Sequence, residues 1–311
     1  MITDSLHKIP LLVICGPTGS GKSAMALELA QQIPLEIVCA DSRQIYRMMD
    51  IGTAKASPAE QTQVLHHMID LIDPDQEFSV AAYVDLARPL IEQIYQRGKL
   101  PCIVGGTGLY IKALLGGLAQ LPSADPLLRQ RLHQREQEQG KGTLHRELQH
   151  LDPQSAAVIH PHNLIRTVRA LEVCLLSGRQ FSAINADHNF VEEDYRVAML
   201  APDYPRQILY QRIDERTREM LEAGLVDEVK ILVERYGCDV KALQTLGYRE
   251  VLQFLGGGCN AEQLGAEIQL RTRQYAKKQL TWFRKDPDIF WVDSTDRSDR
   301  VMKYIENTLI I

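Results

Sequence analysis

The segment GPTGSGKS, residues 16–23, constrains the fold more than any other part of the chain. It fits the phosphate-binding pattern G-x-x-x-x-G-K-[ST], which requires a preceding buried strand and a following helix. The apolar run PLLVICG (10–16) precedes it, and a segment with helical periodicity follows it. Backbone N–H groups of such a loop face a phosphate, Lys22 adds a positive charge, and the Ser23 hydroxyl can ligate Mg²⁺. The sequence therefore predicts a polyphosphate site made by Gly16, Pro17, Thr18, Gly19, Ser20, Gly21, Lys22 and Ser23.

Further apolar runs predict a parallel sheet. LEIVCAD (35–41) and LPCIVGG (100–106) alternate with helical segments, among them a helix over 79–97 that begins at a Ser79 cap. We expect a P-loop NTPase-like α/β fold, a parallel sheet flanked by helices. Residues 123–189 contain no strand-like run and many breaks at Pro or Gly, so they predict a small all-helical insertion domain. Strand-like runs return at 195–201 and 288–293, and the core domain is predicted to comprise residues 1–122 and 190–311 with C-terminal helices.

The composition excludes several classes of protein. The 311 residues are 45% hydrophobic and 24% charged, and no apolar run approaches the ~20 residues that span a bilayer. The N-terminus is typical of a first strand rather than a signal peptide, so we expect a cytoplasmic protein. The net charge of −5 disfavours nonspecific DNA binding, although a local basic face can still bind nucleic acid. The six cysteines and nine histidines are dispersed, which disfavours disulfides and a transition-metal site.

A polar cluster, ADSRQIY (40–46), follows the second strand-like run. Strand ends are where α/β proteins place catalytic groups, so Asp41 is a candidate general base, with Mg²⁺ ligation or helix capping left open. The third run ends in IVGGTGLY (103–110), with no acid where a nucleotide-hydrolysing P-loop enzyme usually holds Mg²⁺. Asp70 and Asp73 are weaker candidates for that acid.

A basic segment lies near the C-terminus. Residues 271–285 contain six Lys and Arg residues and no acid, interleaved with Tyr275, Trp282 and Phe283. This composition fits RNA binding, and it also fits a solvated amphipathic helix.

The motifs GPTGSGKS, DSRQIY, DIGTAK (50–55), GGTGLY (105–110), LPSADP (121–126) and GYR (247–249) together resemble those of the bacterial tRNA dimethylallyltransferases. The resemblance covers roughly residues 10–292. It implies transfer of a dimethylallyl group from dimethylallyl diphosphate to the exocyclic amino nitrogen of the adenosine 3′ of the anticodon, giving N6-isopentenyladenosine. In this scheme the P-loop holds the diphosphate, Mg²⁺ binds at Ser23, Asp41 is the general base, and Arg216 stabilises the leaving group.

The resemblance also implies contacts with the anticodon stem-loop of tRNA, whose target base must be extruded. The implied contact residues are Asp41, Ser42, Arg43, Gln44, Thr107, Arg129, Ile165, Arg166, Thr167, Val168, Arg169, Gly247, Tyr248, Arg249, Lys277 and Arg284. Departures from the family pattern are small. Gly19 and Ser23 stand where the family often has Ala and Thr, and the zinc finger of eukaryotic relatives has no counterpart. We expect a monomer.

Two other functions fit parts of the sequence. A P-loop small-molecule kinase that uses ATP would share the loop and a helical insert, but the missing acid and the basic segment disfavour it. A non-catalytic RNA-binding module would explain the basic segment but would give the P-loop and Asp41 no role.

Overall fold

The computed structural model describes residues 8–188, 194–293 and 298–310. The chain divides into two compact units, one of Met1–Leu115 with Glu193–Ile311 and one of Gly116–Glu192. The predicted parallel sheet with flanking helices is confirmed in the first unit. Its strands are β1 (Ile9–Cys15), β2 (Leu35–Cys39), β3 (His66–His67), β4 (Leu100–Gly105), β5 (Tyr195–Asp203) and β6 (Ile289–Asp293). All are parallel, in the order β3-β2-β4-β1-β5-β6.

Fourteen α-helices occur among the described residues. In chain order they are α1 (Lys22–Ala30), α2 (Pro58–Gln63), α3 (Val80–Gln96), α4 (Gly108–Gly116), α5 (Pro126–Gln139), α6 (Thr143–Leu151), α7 (Pro153–Val158), α8 (Leu164–Ser177), α9 (Phe181–Asp187), α10 (Arg206–Glu222), α11 (Leu225–Tyr236), α12 (Tyr248–Leu255), α13 (Ala261–Phe283) and α14 (Ser298–Leu309). A 3₁₀ turn spans Lys241–Gln244. None of the described helices combines the length and the apolar composition needed to cross a lipid bilayer.

The central strands β1, β2 and β4 are buried along almost their whole length because both faces of the sheet are covered, and Glu36 of β2 is the charged residue among them. Residues 10–15 of β1 and all of β2 and β4 are buried. The predicted cap of α3 is also present, since the Ser79 hydroxyl accepts a hydrogen bond from the Ala82 N–H at 3.1 Å. β3, in contrast, is only two residues long, and the chain then turns away through Met68 and Asp70, both with positive φ.

The second unit has its own apolar core, and the secondary-structure elements among its described residues are helices. Leu132, Leu144, Leu148 and Leu171 are buried there, and the insertion predicted for 123–189 falls within this unit. Glu172 is also fully buried in it. The carboxylate of Glu172 accepts hydrogen bonds from the Asp125 N–H at 2.8 Å and from the guanidinium groups of Arg129 and Arg169. These bonds satisfy a charge that would otherwise be costly to bury.

Candidate active site

The loop after β1 and the carboxyl ends of β2 and β4 meet at one edge of the sheet and line a cavity of about 510 Å³, which we call the main cavity. Ligands of open α/β sheets bind at this edge. Among the residues predicted for the site, the cavity is lined by Thr18, Lys22, Ser23, Asp41, Arg43, Gln44, Arg216, Tyr248 and Arg249. The structure therefore gathers into one cavity residues from distant parts of the sequence.

The P-loop has the backbone conformation that its glycines permit. Gly16, Gly19 and Gly21 have φ of +134°, +80° and +81°, values that residues with a side chain rarely adopt. α1 begins directly afterwards at Lys22, so its N-terminal N–H groups lie at the cavity. This is the arrangement in which a helix N-terminus binds a phosphate.

Two partly buried cations, Lys22 and Arg216, face the main cavity. Burial, followed by the charge of Arg216, lowers the pKa of Lys22 to about 8, and its ammonium donates to the Pro17 carbonyl at 2.7 Å. Burial likewise lowers the pKa of Arg216, whose guanidinium donates to the Thr18 hydroxyl at 3.3 Å and to the Thr53 carbonyl at 3.4 Å. Two neighbouring positive charges in a desolvated site favour an anion with more than one charge.

Asp41 lies just beyond β2, with its carboxylate at the main cavity. Its Oδ1 accepts the Arg43 N–H at 2.9 Å, which fixes the carboxylate against its own loop. The N–H of Ser42 donates to the Thr107 hydroxyl at 3.0 Å, and this bond joins the loop after β2 to the loop after β4. Asp41 is therefore held in place while its carboxylate faces the same space as Lys22.

Gln44 uses its amide within the protein. Its Nε2 donates to the carbonyls of Thr53 and Ala54, both at 3.1 Å, and its Oε1 accepts from the Cys39 thiol at 3.1 Å. These bonds tie the loop of residues 50–55, which carries the DIGTAK motif, to the end of β2. In this structure Gln44 positions the wall of the cavity.

The two weaker candidates for a magnesium-binding acid are engaged elsewhere. Asp70 accepts from the Lys55 ammonium at 2.5 Å, and Asp73 pairs with Arg47 at 3.4 Å. Neither lines the main cavity. β4 ends at Gly105 and is followed by Gly106, so the edge of the sheet lacks a second strand-end acid at that point.

Gln279 of α13 is a site residue that the sequence did not reveal. Its Oε1 accepts the Thr18 N–H at 2.8 Å and its Nε2 donates to the Gly106 carbonyl at 2.8 Å, so it bridges the P-loop and the end of β4. A Cβ on Gly106 would lie 2.4 Å from this Nε2, and one on Gly108 would lie 2.2 Å from Nε1 of Trp282. The glycines of the GGTG motif indicate that another part of the chain comes close at this point, but nothing in the sequence shows that this part is α13.

Lys277 and Arg284 do not line the main cavity. They line a second cavity of about 410 Å³ beside the P-loop, together with Pro17 and Ser20. Arg284 also pairs with Asp203 at 2.6 Å. The basic segment is thus partly neutralised.

Other members of the basic segment also have partners. Arg271 and Arg273 pair with Glu267 and Asp214, at 2.6 Å and 2.5 Å. The sequence placed Phe283 among the candidate RNA-contacting aromatic residues. Only 3% of Phe283 is exposed, so it packs in the core. Tyr275 and Trp282 are exposed, as RNA contact would require.

The predicted tRNA-contacting residues of the helical unit differ in exposure. Ile165 is 80% exposed and Arg166 is exposed at the start of α8, whereas the side chains of Thr167 and Val168 are buried. Arg129 and Arg169 are held by Glu172, as described above. The surface of this helix start is therefore formed by Ile165 and Arg166 rather than by the whole run 165–169.

The GYR motif opens α12 at the main cavity. Gly247 has φ of +86° and its N–H donates to Glu250, which also accepts from the Arg249 guanidinium at 2.8 Å. The Tyr248 side chain is 1% exposed and its hydroxyl donates to Glu228 at 2.7 Å. Tyr248 also lines the main cavity.

Comparisons with known proteins show which family this chain resembles. An IPP transferase family model matches residues 44–286, and an isopentenyl transferase model matches residues 9–70. A tRNA dimethylallyltransferase 1 from Syntrophotalea carbinolica is 46% identical over 309 residues, covering 99% of this chain and 98% of the relative. A tRNA dimethylallyltransferase from Geobacter sulfurreducens is 45% identical over 295 residues, covering 94% and 95%.

Solved structures show the same similarity. A tRNA isopentenylpyrophosphate transferase from Bacillus halodurans is 38% identical, with a TM-score of 0.72 and 97% of each chain covered. A eukaryotic dimethylallyltransferase, crystallised in snapshots of its action on tRNA, is 28% identical with a TM-score of 0.83, covering 97% of this chain and 80% of that one.

Proposed function

The chain belongs to the IPP transferase family, and we propose that it transfers the dimethylallyl group of dimethylallyl diphosphate to the exocyclic amino nitrogen of the adenosine 3′ of the anticodon in tRNA. The curated relatives named above are called tRNA dimethylallyltransferases, and the solved eukaryotic relative is described as acting on tRNA. The observation that supports the proposal best is the meeting of Lys22, Arg216 and Asp41 in one cavity. Two cations for a diphosphate and one carboxylate for a proton are the groups that this reaction requires.

The proposed reaction exchanges one bond for another. The bond between the allylic carbon and the diphosphate oxygen breaks, and a bond between that carbon and the adenine nitrogen forms. Negative charge builds on the leaving diphosphate, where Lys22, Arg216 and the P-loop N–H groups would stabilise it. The adenine nitrogen loses a proton, which Asp41 would accept as general base.

We propose that Mg²⁺ accompanies the diphosphate. Mg²⁺ prefers oxygen ligands and usually keeps several waters while binding one or two protein groups plus substrate phosphates. The donors at the cavity fit this habit, since they include the Ser23 hydroxyl but no cluster of three or more His, Cys, Asp or Glu side chains among the described residues. Bound there, the ion would neutralise charge on the diphosphate. Ser23 is the protein group that we expect to hold it.

The acceptor adenosine would enter the cavity unstacked from the anticodon loop. Arg43 lines the cavity beside Asp41, and Ser42 and Thr107 hold the adjoining loops, so these residues would frame the base. Further contacts with tRNA are proposed at Arg129, Ile165, Arg166 and Arg169 in the helical unit and at Lys277 and Arg284 on α13. Because the proposed substrate is tRNA, we propose that the reaction takes place in the cytoplasm, and we expect the enzyme to act as a monomer.

The test is incubation with unmodified tRNA, Mg²⁺ and labelled dimethylallyl diphosphate, and separately with labelled ATP in its place. Label should enter tRNA only from the allylic donor. Turnover of ATP without prenyl incorporation would instead support a P-loop kinase and overturn the proposal.

The same assay tests the role of Asp41. Asp41→Asn should lose at least about a hundredfold in transfer while retaining tRNA binding, because general bases typically contribute 10²–10⁴-fold. Asp75→Asn is the matched control, since Asp75 is exposed and does not line the main cavity. An unchanged transfer rate in Asp41→Asn would remove Asp41 from the mechanism.

A further inference from the structure

A single carboxylate, that of Glu228 on α11, holds the loop of residues 50–52. Its Oε2 accepts the N–H groups of Asp50 at 3.0 Å and Ile51 at 2.7 Å, and its Oε1 accepts that of Gly52 at 3.2 Å. The Tyr248 hydroxyl donates to Oε1 as well, at 2.7 Å. Four donors thus converge on one side chain.

The contact between this loop and Tyr248 leaves no spare room. A Cβ on Gly52 would lie 2.5 Å from the Tyr248 ring. Burial raises the pKa of Tyr248 well above its usual value, so its hydroxyl remains a donor throughout the neutral range. Glu228 and Tyr248 therefore enclose Gly52 from two sides.

The next residues of the loop reach the main cavity. The Thr53 carbonyl accepts from the Arg216 guanidinium, and the carbonyls of Thr53 and Ala54 both accept from the Gln44 amide. Ala54 has φ of +46°, a conformation that is unfavourable for a residue with a side chain and persists only where surrounding contacts impose it. The direction of these carbonyls depends on how residues 50–52 are held.

We propose that Glu228 is a positioning residue for the transfer reaction: by holding residues 50–52 it orients the Thr53 carbonyl that fixes Arg216 against the diphosphate. Glu228 does not line the main cavity, so its effect passes through the loop. The inference rests on the proposed function for its kinetic test, and it has a second test that needs no transfer.

The kinetic test uses Glu228→Gln, which keeps the shape of the side chain but replaces one acceptor oxygen with an amide that cannot accept. We expect kcat for transfer to fall about tenfold, because a hydrogen bond to a charged acceptor typically contributes about that factor or more. The KM for tRNA should stay within about twofold, since none of the tRNA contacts put forward under Proposed function is a hydrogen-bond partner of Glu228. Tyr248→Phe, which removes one of the four donors, should act in the same direction but less strongly.

Asp227→Asn is the matched control. Asp227 is adjacent on α11, exposed, and paired with Lys230 at 2.8 Å, so its loss of charge should leave kcat within about twofold of the parent. A variant that only destabilised the fold would lower the thermal midpoint and the fraction of active enzyme without changing kcat per active site. Unchanged kcat in Glu228→Gln overturns the inference.

A double-mutant cycle tests whether the effect passes through Arg216. In an Arg216→Ala background, Glu228→Gln should lose most of its effect, changing kcat by less than about threefold, because positioning matters only while the guanidinium is present. A full tenfold loss in that background would contradict the proposed route.

The second test measures binding of inorganic pyrophosphate by calorimetry. Glu228→Gln should weaken binding about fivefold and Asp227→Asn should not, since a misplaced Arg216 no longer meets the anion. If the parent binds pyrophosphate but transfers no prenyl group, the proposed function fails, whereas the role of Glu228 in placing Arg216 against the anion is still decided by the comparison of affinities. Equal affinity in the parent and in Glu228→Gln would overturn it.

Discussion

Diphosphate binding should depend on the protonation of Lys22, with a midpoint near pH 8. Burial and the charge of Arg216 lower the pKa of Lys22 to about 8 in the protein without ligand. Below this pH the ammonium is present and attracts the diphosphate; above it the amine is neutral and the attraction is lost. Because only protonated Lys22 favours the anion, affinity should fall as pH rises through 8.

The magnitude follows from the titration of one group. A group with a pKa of about 8 is roughly nine-tenths protonated at pH 7 and roughly one-tenth protonated at pH 9, so affinity should fall about tenfold between these values. Binding should also raise the pKa of Lys22, because the diphosphate supplies the opposite charge. Formation of the complex is therefore accompanied by proton uptake, on average about half a proton per site at pH 8 and nearly one at pH 9.

The assay is calorimetric titration of dimethylallyl diphosphate without tRNA, at each pH in two buffers of different ionisation enthalpy. The difference between buffers gives the number of protons taken up. Lys22→Arg is the control, because the guanidinium stays charged across this range. It also corrects for titration of the ligand itself.

Two results would refute the reasoning. One is an absence of proton uptake at pH 8–9, which would mean that the Lys22 ammonium is already stable without the ligand. The other is equal uptake by Lys22→Arg, which would assign the proton to a different group. Arg216→Gln provides a further check, since removing this neighbouring charge should move the midpoint to higher pH.

Three further predictions concern single contacts. Burial raises the pKa of Glu36, but hydrogen bonds from His67, Arg97 and Lys99 outweigh it and lower the pKa to about 2. The pKa of Glu36 in the unfolded chain is near 4.5, so this stabilisation is complete above about pH 4.5 and is lost as pH falls towards 2. Glu36→Gln should therefore reduce the free energy of unfolding by roughly 2–3 kcal/mol at pH 7. Denaturant titrations should show that the difference between the parent and the variant disappears in acid. Gly106→Ala should destabilise the protein by about 1–3 kcal/mol, because the added Cβ would meet the Gln279 amide. In a Gln279→Ala background, the thermal midpoint should recover most of this loss. A loss that persists in that background would point to a different clash. Glu172→Gln should weaken tRNA binding about threefold to tenfold at fixed salt, even though the substitution removes a negative charge. The reason is that Arg129 and Arg169, which Glu172 holds, lose their fixed geometry. Tighter binding in a filter assay would contradict this prediction.

The sequence predicted the parts of the molecule whose signal is local. A continuous apolar run followed by a glycine loop indicated β1 and the P-loop, and a serine before an amphipathic run indicated the start of α3. These features depend on neighbours a few residues apart, so periodicity and capping reveal them. β3 was harder to predict, since two residues are too few to show a period.

The contacts that complete the site could not be predicted in this way. Thr18 and Gln279 are 261 residues apart, and Ile51 and Glu228 are 177 apart. Glutamine and glutamate on helices are common surface residues, and neither carries a local mark of its distant partner. The basic segment shows the same limit, because its composition is visible in the sequence whereas the burial of Phe283 depends on how α13 packs.

The order of strands also affects how the protein can form during synthesis. β1 pairs with β4 on one side and with β5 on the other, yet β5 begins 186 residues after β1, at Tyr195 rather than Ile9. At 5–20 residues per second, the first strand therefore waits roughly 10–40 s for its second neighbour. Gln279, which meets the P-loop, is translated later still. A nascent chain stalled before α13 would carry an intact phosphate loop without the residue that joins it to β4, so truncated products should expose apolar strand surface and become substrates for chaperones.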